Sequence, residues 1–378
     1  MNFDKLVYNI KKSYSEARIQ KSKERLTRAW NLEKPEDKIP FVFTKFPDGS
    51  NVNDDRLLET GYGFEEELYY QLFQMEKRAI LEDDYIPSLF PGLRQSAIPS
   101  AFGANEEKKG EHFWSNPVIN DPKEVYKLEK PDFNKKNTPA WRILENIKYF
   151  RKMTKGQLPI RGSDMQGPMA AASIMWGLNN YLLAFYNNPE EVHFLHKILT
   201  EAFIEFLDLQ IEASEGDFIP AHADFCVWMP PGKGIGVCND LLAVVGPKQL
   251  QEFSIPYDNR ISDYYSGIVI HSCGKINHNL EELKKLKEFK SINFGSTETN
   301  IEDIIRVFGK SLLYITYASD VATSPRKVES QEDFIKRISK TIKEENISAQ
   351  IEIITPKEYT AEETLRLNDL ASKYFKIL

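Results

Sequence analysis

The chain has 378 residues, with 41% hydrophobic and 12% aromatic side chains, which is enough to build a sizeable core and excludes wholesale disorder. Its 49 Lys+Arg against 56 Asp+Glu leave a formal charge of −7, so nothing draws the whole molecule to a phosphate backbone and nucleic acid is not an expected partner. Three cysteines exclude a disulfide scaffold and leave reduced thiols that can bind metal, as expected of a soluble, cytoplasmic protein.

Residues 1–37 are charge-rich and helix-forming, and read as a helical extension packed on the outside of the domain. Asp4, Lys5, Lys11 and Lys12 have no apolar run behind them, so no targeting signal is expected. From 38 to 378 short apolar runs alternate with amphipathic stretches. The predicted strands are Pro40–Phe43, Tyr85–Phe90, Leu158–Arg161, Phe218–Ala221, Ile268–His271, Ser291–Phe294, Leu312–Thr316 and Gln350–Ile354. About eight strands with helices between them predict an α/β fold, a single (β/α)8 TIM-type barrel, in preference to an open sheet.

Between the second and third strands, Pro91–Pro139 has many prolines and little periodicity, and reads as a long excursion. Gly167–Tyr186 is apolar but broken by Asn179 and Asn180, which suits a buried helix and not a membrane span. Asn188-Pro189-Glu190-Glu191 has the pattern of a capped helix start, with Val192, Leu195, Leu199, Ala202, Phe206 and Leu209 on one face. His193 and His196 share a face of that helix, taken as solvated. Gly232-Lys233-Gly234-Ile235-Gly236 reads as a flexible turn, since it lacks the spacing of a phosphate cradle. Gly246-Pro247 opens another helix that Pro256 interrupts, and Glu281–Lys290 reads as the wet face of a helix.

A barrel of this type carries its site at the C-terminal ends of the strands. Asp164 follows the third strand, and His222 and Asp224 follow the fourth. His271-Ser272-Cys273-Gly274 ends the fifth and Glu298 follows the sixth. An imidazole and a thiolate two residues apart at a strand end face the same way and suit zinc, although two ligands do not make a site. Cys226 and Cys238 read either as further ligands or as small buried residues. Asp164, Asp224, Asp240 and Glu298 are candidate acids, bases or hydrogen-bond anchors.

Asp164-Met165-Gln166-Gly167-Pro168, the helix start at Asn188, and Asn239-Asp240 followed by Gly246–Tyr257 form an ordered series that continues into Ile268–Gly274. Asp84-Tyr85-Ile86-Pro87 and Ala101-Phe102-Gly103 extend it upstream. The series resembles the uroporphyrinogen decarboxylase superfamily, whose members are (β/α)8 barrels, and the resemblance runs from about Pro40 onward.

That resemblance implies one of two chemistries. The decarboxylase branch holds its substrate with paired arginines after the first strand and an aspartate after the second. Here Thr44-Lys45-Phe46-Pro47-Asp48-Gly49 and Phe90-Pro91-Gly92 supply neither, and a polycarboxylate without guanidinium clamps binds badly. The other branch moves methyl groups to or from a corrinoid protein and binds zinc through His-x-Cys, which carries over to His271 and Cys273. Its usual further cysteine is missing, because the eighth strand reads Ser348–Ile354. Glu352 is the first substitute, ahead of Glu298 and Cys238. Gln350 or His222 would also serve.

The resemblance therefore implies a zinc-dependent, corrinoid-linked methyltransferase acting on a small methyl ether or methylamine. The metal would sit on His271, Cys273 and Glu352, with Asp164, His222 and Asp240 as catalytic residues. The alternative is a cofactor-free decarboxylase or lyase of the same superfamily.

Overall fold

The computed structural model describes residues 1–47, 63–92, 95–109, 112–221, 228–318, 329–355 and 358–377. Two helices open the chain. Helix α1 (Phe3–Ser13) starts where Asn2 accepts a hydrogen bond from Lys5 N–H, and α2 (Glu16–Trp30) where Ser15 accepts one from Arg18 N–H. Strand β1 (Phe41–Phe43) follows, then a hairpin of β2 (Glu106–Lys109) and β3 (His112–Ser115). The remaining strands are β4 (Ile160–Arg161), β5 (Phe218–Ile219), β6 (Ile235–Cys238), β7 (Ile268–Ser272), β8 (Phe289–Gly295), β9 (Leu313–Tyr317) and β10 (Ala349–Ile353).

Six strands form a parallel sheet in the order β1-β10-β9-β8-β7-β6, and β4 pairs in parallel with β5. Single backbone contacts close the ring. Gly236 N–H donates to Pro220 O, Leu89 bridges Ile160, and Asp84 N–H donates to Phe41 O. The fold is thus the expected TIM-type barrel. Outward residues such as Val237, Ile270, Ile292 and Ile351 are buried in the core shared with the helices. The alternate residues Val269, Leu313, Ile315 and Tyr317 pack in a second, smaller cluster with Ile219.

The strands differ from the sequence reading at β6, at the β2–β3 hairpin within Pro91–Pro139, and at Tyr85–Phe90. Strand β6 lies where a flexible turn was expected. At its start Gly234 has φ +87°, and a Cβ there would stand 2.2 Å from the backbone of Gly267. The glycines around Ile235 therefore serve close approach of two chains, a demand that composition does not separate from flexibility. The second predicted strand, Tyr85–Phe90, is extended but touches the sheet only through single contacts. Side-chain bonds replace part of its ladder: the carboxylates of Asp83 and Asp84 accept from Phe43 N–H and Phe41 N–H.

The N-terminal extension is more than an outer layer. Ala29 and Trp30 at the end of α2 join the small cluster of Val269, Leu313 and Ile315, against the N-terminal ends of the strands. Asp84, with no side-chain exposure, anchors α2 by accepting from Arg25 and Ser22.

The helix Pro189–Ala213 begins at the predicted Asn188, but no capping bond forms there, and Glu191 pairs with Lys123 instead. His196 on this helix is fully buried, not solvated. Its ring contacts Tyr181 OH at 2.5 Å and Phe253 O at 2.6 Å, and burial lowers its pKa to about 3. Glu281–Lys290 is not one helix either: Leu280–Leu283 is helical and β8 begins at Phe289.

Candidate metal centre

Strand pairing brings the site together. Cys238 is the register partner of His271, and His271 of Asn293, so three side chains from β6, β7 and β8 stand in one row at the C-terminal ends. Asn239 N–H extends the pairing by donating to His271 O at 2.9 Å, and Asp240 then starts a short 3-10 turn. Asp240 Oδ1 accepts from Cys273 N–H at 2.7 Å, and Cys238 Sγ lies 3.4 Å from Asp240 Oδ2. Cys273 Sγ stands 3.4 Å from His271 Nε2 and 3.6 Å from the Tyr317 hydroxyl.

One ligand atom each from Cys238, Asp240 and His271 can be chosen so that all lie within 4.8 Å of one another. A thiol, an imidazole and a carboxylate form a donor set that zinc accepts. His271 and Cys238 are buried, while Cys273 is exposed and Asp240 partly so, which opens the centre on one side. A catalytic metal needs such an open position for substrate.

The loop Asp164–Gly167 abuts the same strand end. Met165 O accepts from Cys238 N–H, and Gly167 N–H donates to Cys238 O at 2.8 Å. A Cβ on Gly167 would lie 2.8 Å from Val237 Cγ1, so only glycine fits this approach. Asp164 is buried and receives a hydrogen bond from Gln166 at 2.8 Å. Burial, reinforced by the charge of Asp240, raises its pKa to about 6, against the Gln166 bond and the pull of His271.

The structure brings His271, Cys273, Asp240 and Asp164 to one end of the barrel. Glu352, expected as a metal ligand, accepts from Asn293 Nδ2 at 3.1 Å, and Asn293 in turn bonds His271 Nδ1. Glu298 accepts from Gly274 N–H at 3.0 Å. Gln350 lies buried in β10. His222, Asp224 and Cys226 lie outside the described residues. Sequence reasoning passed over Tyr317 and Asn293. Tyr317 is buried, and burial with the nearby Cys273 holds its phenol well above the usual range, so it stays neutral. Strand alternation in β9 and β8 would have put both inside, had the register been known.

Residues 98–220 match the family model described as Uroporphyrinogen decarboxylase (URO-D). The matched residues include β4, β5 and the Asp164 loop, and stop short of the row at Cys238 and His271. Among solved structures, a methyltransferase from Methanosarcina mazei has this fold, with a TM-score of 0.67 at 16% identity over 94% of this chain and 98% of that one. No curated protein matches the sequence. The match over residues 98–220 and this fold together support the resemblance read from the sequence.

Proposed function

We propose that this chain is a zinc-dependent methyltransferase that moves a methyl group between a small methyl ether or methylamine and a separate corrinoid protein in the cytoplasm. The observation that carries the proposal is the convergence of Cys238, Asp240 and His271, with Cys273 beside them, at the open end of a barrel shared with a methyltransferase. Zinc bound by these residues would polarise a substrate oxygen or nitrogen as a Lewis acid.

The protein groups around the centre suit that chemistry. Asp164, with a pKa of about 6, can hold or give up a proton near neutral pH beside Asp240. Tyr317 offers a neutral O–H at 3.6 Å from Cys273 Sγ. Asp240 in the ligand set makes it harder than an all-sulfur set, which favours an ether or amine over a thiol. His222, proposed from the sequence as a further catalytic residue, keeps that role in this reading.

The test is zinc per chain by elemental analysis on protein purified without chelator or metal-affinity resin. Alongside it, reduced cob(I)alamin is mixed with methyl ether and methylamine donors and followed by absorbance. Near-stoichiometric zinc and donor-dependent methylcobalamin would support the reading. A protein that takes up no zinc would overturn it.

The second reading, a cofactor-free decarboxylase or lyase, draws on the URO-D match over 98–220. It predicts a metal-free protein that converts uroporphyrinogen. Turnover of about 1 per second or more would favour it.

A further inference from the structure

We propose that Asn293 and Glu352 are positioning residues that hold the proton of His271 on Nδ1 and so present Nε2 to the ligand cluster. This rests on the metal-centre reading above. The argument starts from the Asn293 amide. One end of it faces two acceptors, the Glu352 carboxylate at 3.1 Å and Ile315 O at 3.5 Å. That end must be the NH2 group, because only N–H can donate to both. The other end is then the carbonyl Oδ1, which faces His271 Nδ1.

An amide oxygen only accepts, so Nδ1 carries the hydrogen and Nε2 keeps its lone pair. Nε2 is the atom 3.4 Å from Cys273 Sγ and 4.0 Å from Asp240 Oδ1. Glu352 reaches Asn293 across the intervening strand β9, since β10 and β8 each pair with β9 and not with each other. All three side chains are buried, with at most 2% exposure, so water does not compete for these bonds. A partner on the far nitrogen of a ligating histidine fixes its tautomer and its ring plane. Glu352 thus acts on the centre through Asn293.

The experiment uses the full chain with 15N-labelled histidine, first metal-free. Long-range 15N–1H correlations read the tautomer of His271, whose signals are assigned by their loss in His271→Gln. Zinc affinity is measured by competition with a chromophoric chelator. The wild type should carry its proton on Nδ1. Asn293→Leu, close in volume, should lose that preference and bind zinc about 10–100-fold more weakly. Glu352→Gln retains an acceptor for the amide, so it should keep the tautomer and stay within a few-fold in affinity. Glu352→Leu should not.

A wild-type proton on Nε2 overturns the proposal before any variant is made. So does an Asn293→Leu protein with tautomer and affinity unchanged. The tautomer arm needs no metal. If the wild type shows the Nδ1 proton but takes no zinc, the positioning stands and the metal-centre reading alone falls.

Discussion

Asp240 Oδ1 accepts a hydrogen bond from the backbone N–H of Cys273 at 2.7 Å. The bond ties the chain leaving β6 to the chain leaving β7, and it holds the carboxylate against both cysteines of the centre. Asp240 is therefore both a candidate ligand and the brace that keeps Cys273 beside His271.

These two roles separate by substitution. Asp240→Asn keeps an oxygen for the Cys273 N–H but loses the charge. It should retain the thermal midpoint and bind zinc more weakly. Asp240→Ala loses both and should lose most of its zinc. Chelator competition and a melting curve on each variant read the difference.

Cys273→Ala removes the cysteine sulfur beside His271, and Cys238→Ser replaces the buried one within the ligand cluster. Each should lower zinc per chain well below one while leaving the fold intact, because a catalytic site contributes less to folding than a structural one. Elemental analysis with circular dichroism checks this. Full zinc in both variants would move the centre elsewhere.

The start of β6 depends on Gly234. An alanine there puts Cβ 2.2 Å from the Gly267 backbone at a positive φ, and neither backbone can yield without losing the β6–β7 ladder. Gly234→Ala should cost on the order of 3 kcal/mol. Urea unfolding measures it, and a change under about 0.5 kcal/mol, the usual range for neutral surface changes, would contradict the close approach.

Asp84 joins α2 to the barrel. Among the described residues, removing its buried carboxylate leaves Arg25 paired with the exposed Asp37 and strips Phe41 N–H of its acceptor. Asp84→Ala should destabilise by on the order of 3 kcal/mol. It should also speed amide exchange in residues 16–30, as mass spectrometry would show.

Buried Asp258 gives the protein a pH signature. Burial raises its carboxyl from 3.8 to about 7, against a hydrogen bond from Ser254. In the window between those values the folded chain keeps a proton that the unfolded chain has released. This group's contribution to stability therefore falls as pH rises from about 4 to about 7, by about 1.4 kcal/mol per pH unit. Asp258→Asn keeps an acceptor for Ser254 and removes the titration. The difference in stability between variant and wild type should grow in the variant's favour across that window, as denaturation at a series of pH values would show.

Most of the architecture was present in the order of residues. Alternating apolar runs and amphipathic stretches specify strands and helices locally, so the barrel, its N-terminal helices and the strand ends carrying Asp164, His271 and Cys273 were legible. What the sequence could not supply was register. Whether Cys238 faces His271 depends on β6 existing and pairing in parallel with β7, and Gly234 and Gly236 hid that strand by looking like a turn. The same holds for Asn293, an ordinary buried polar residue until its neighbours are known. Glu352 shows the limit most clearly. Its place within the last strand was legible. Its contact with Asn293, across an intervening strand, was decided only when the sheet closed on itself. Period-two alternation sets which face a side chain takes, and the tertiary structure alone sets which side chain it meets there.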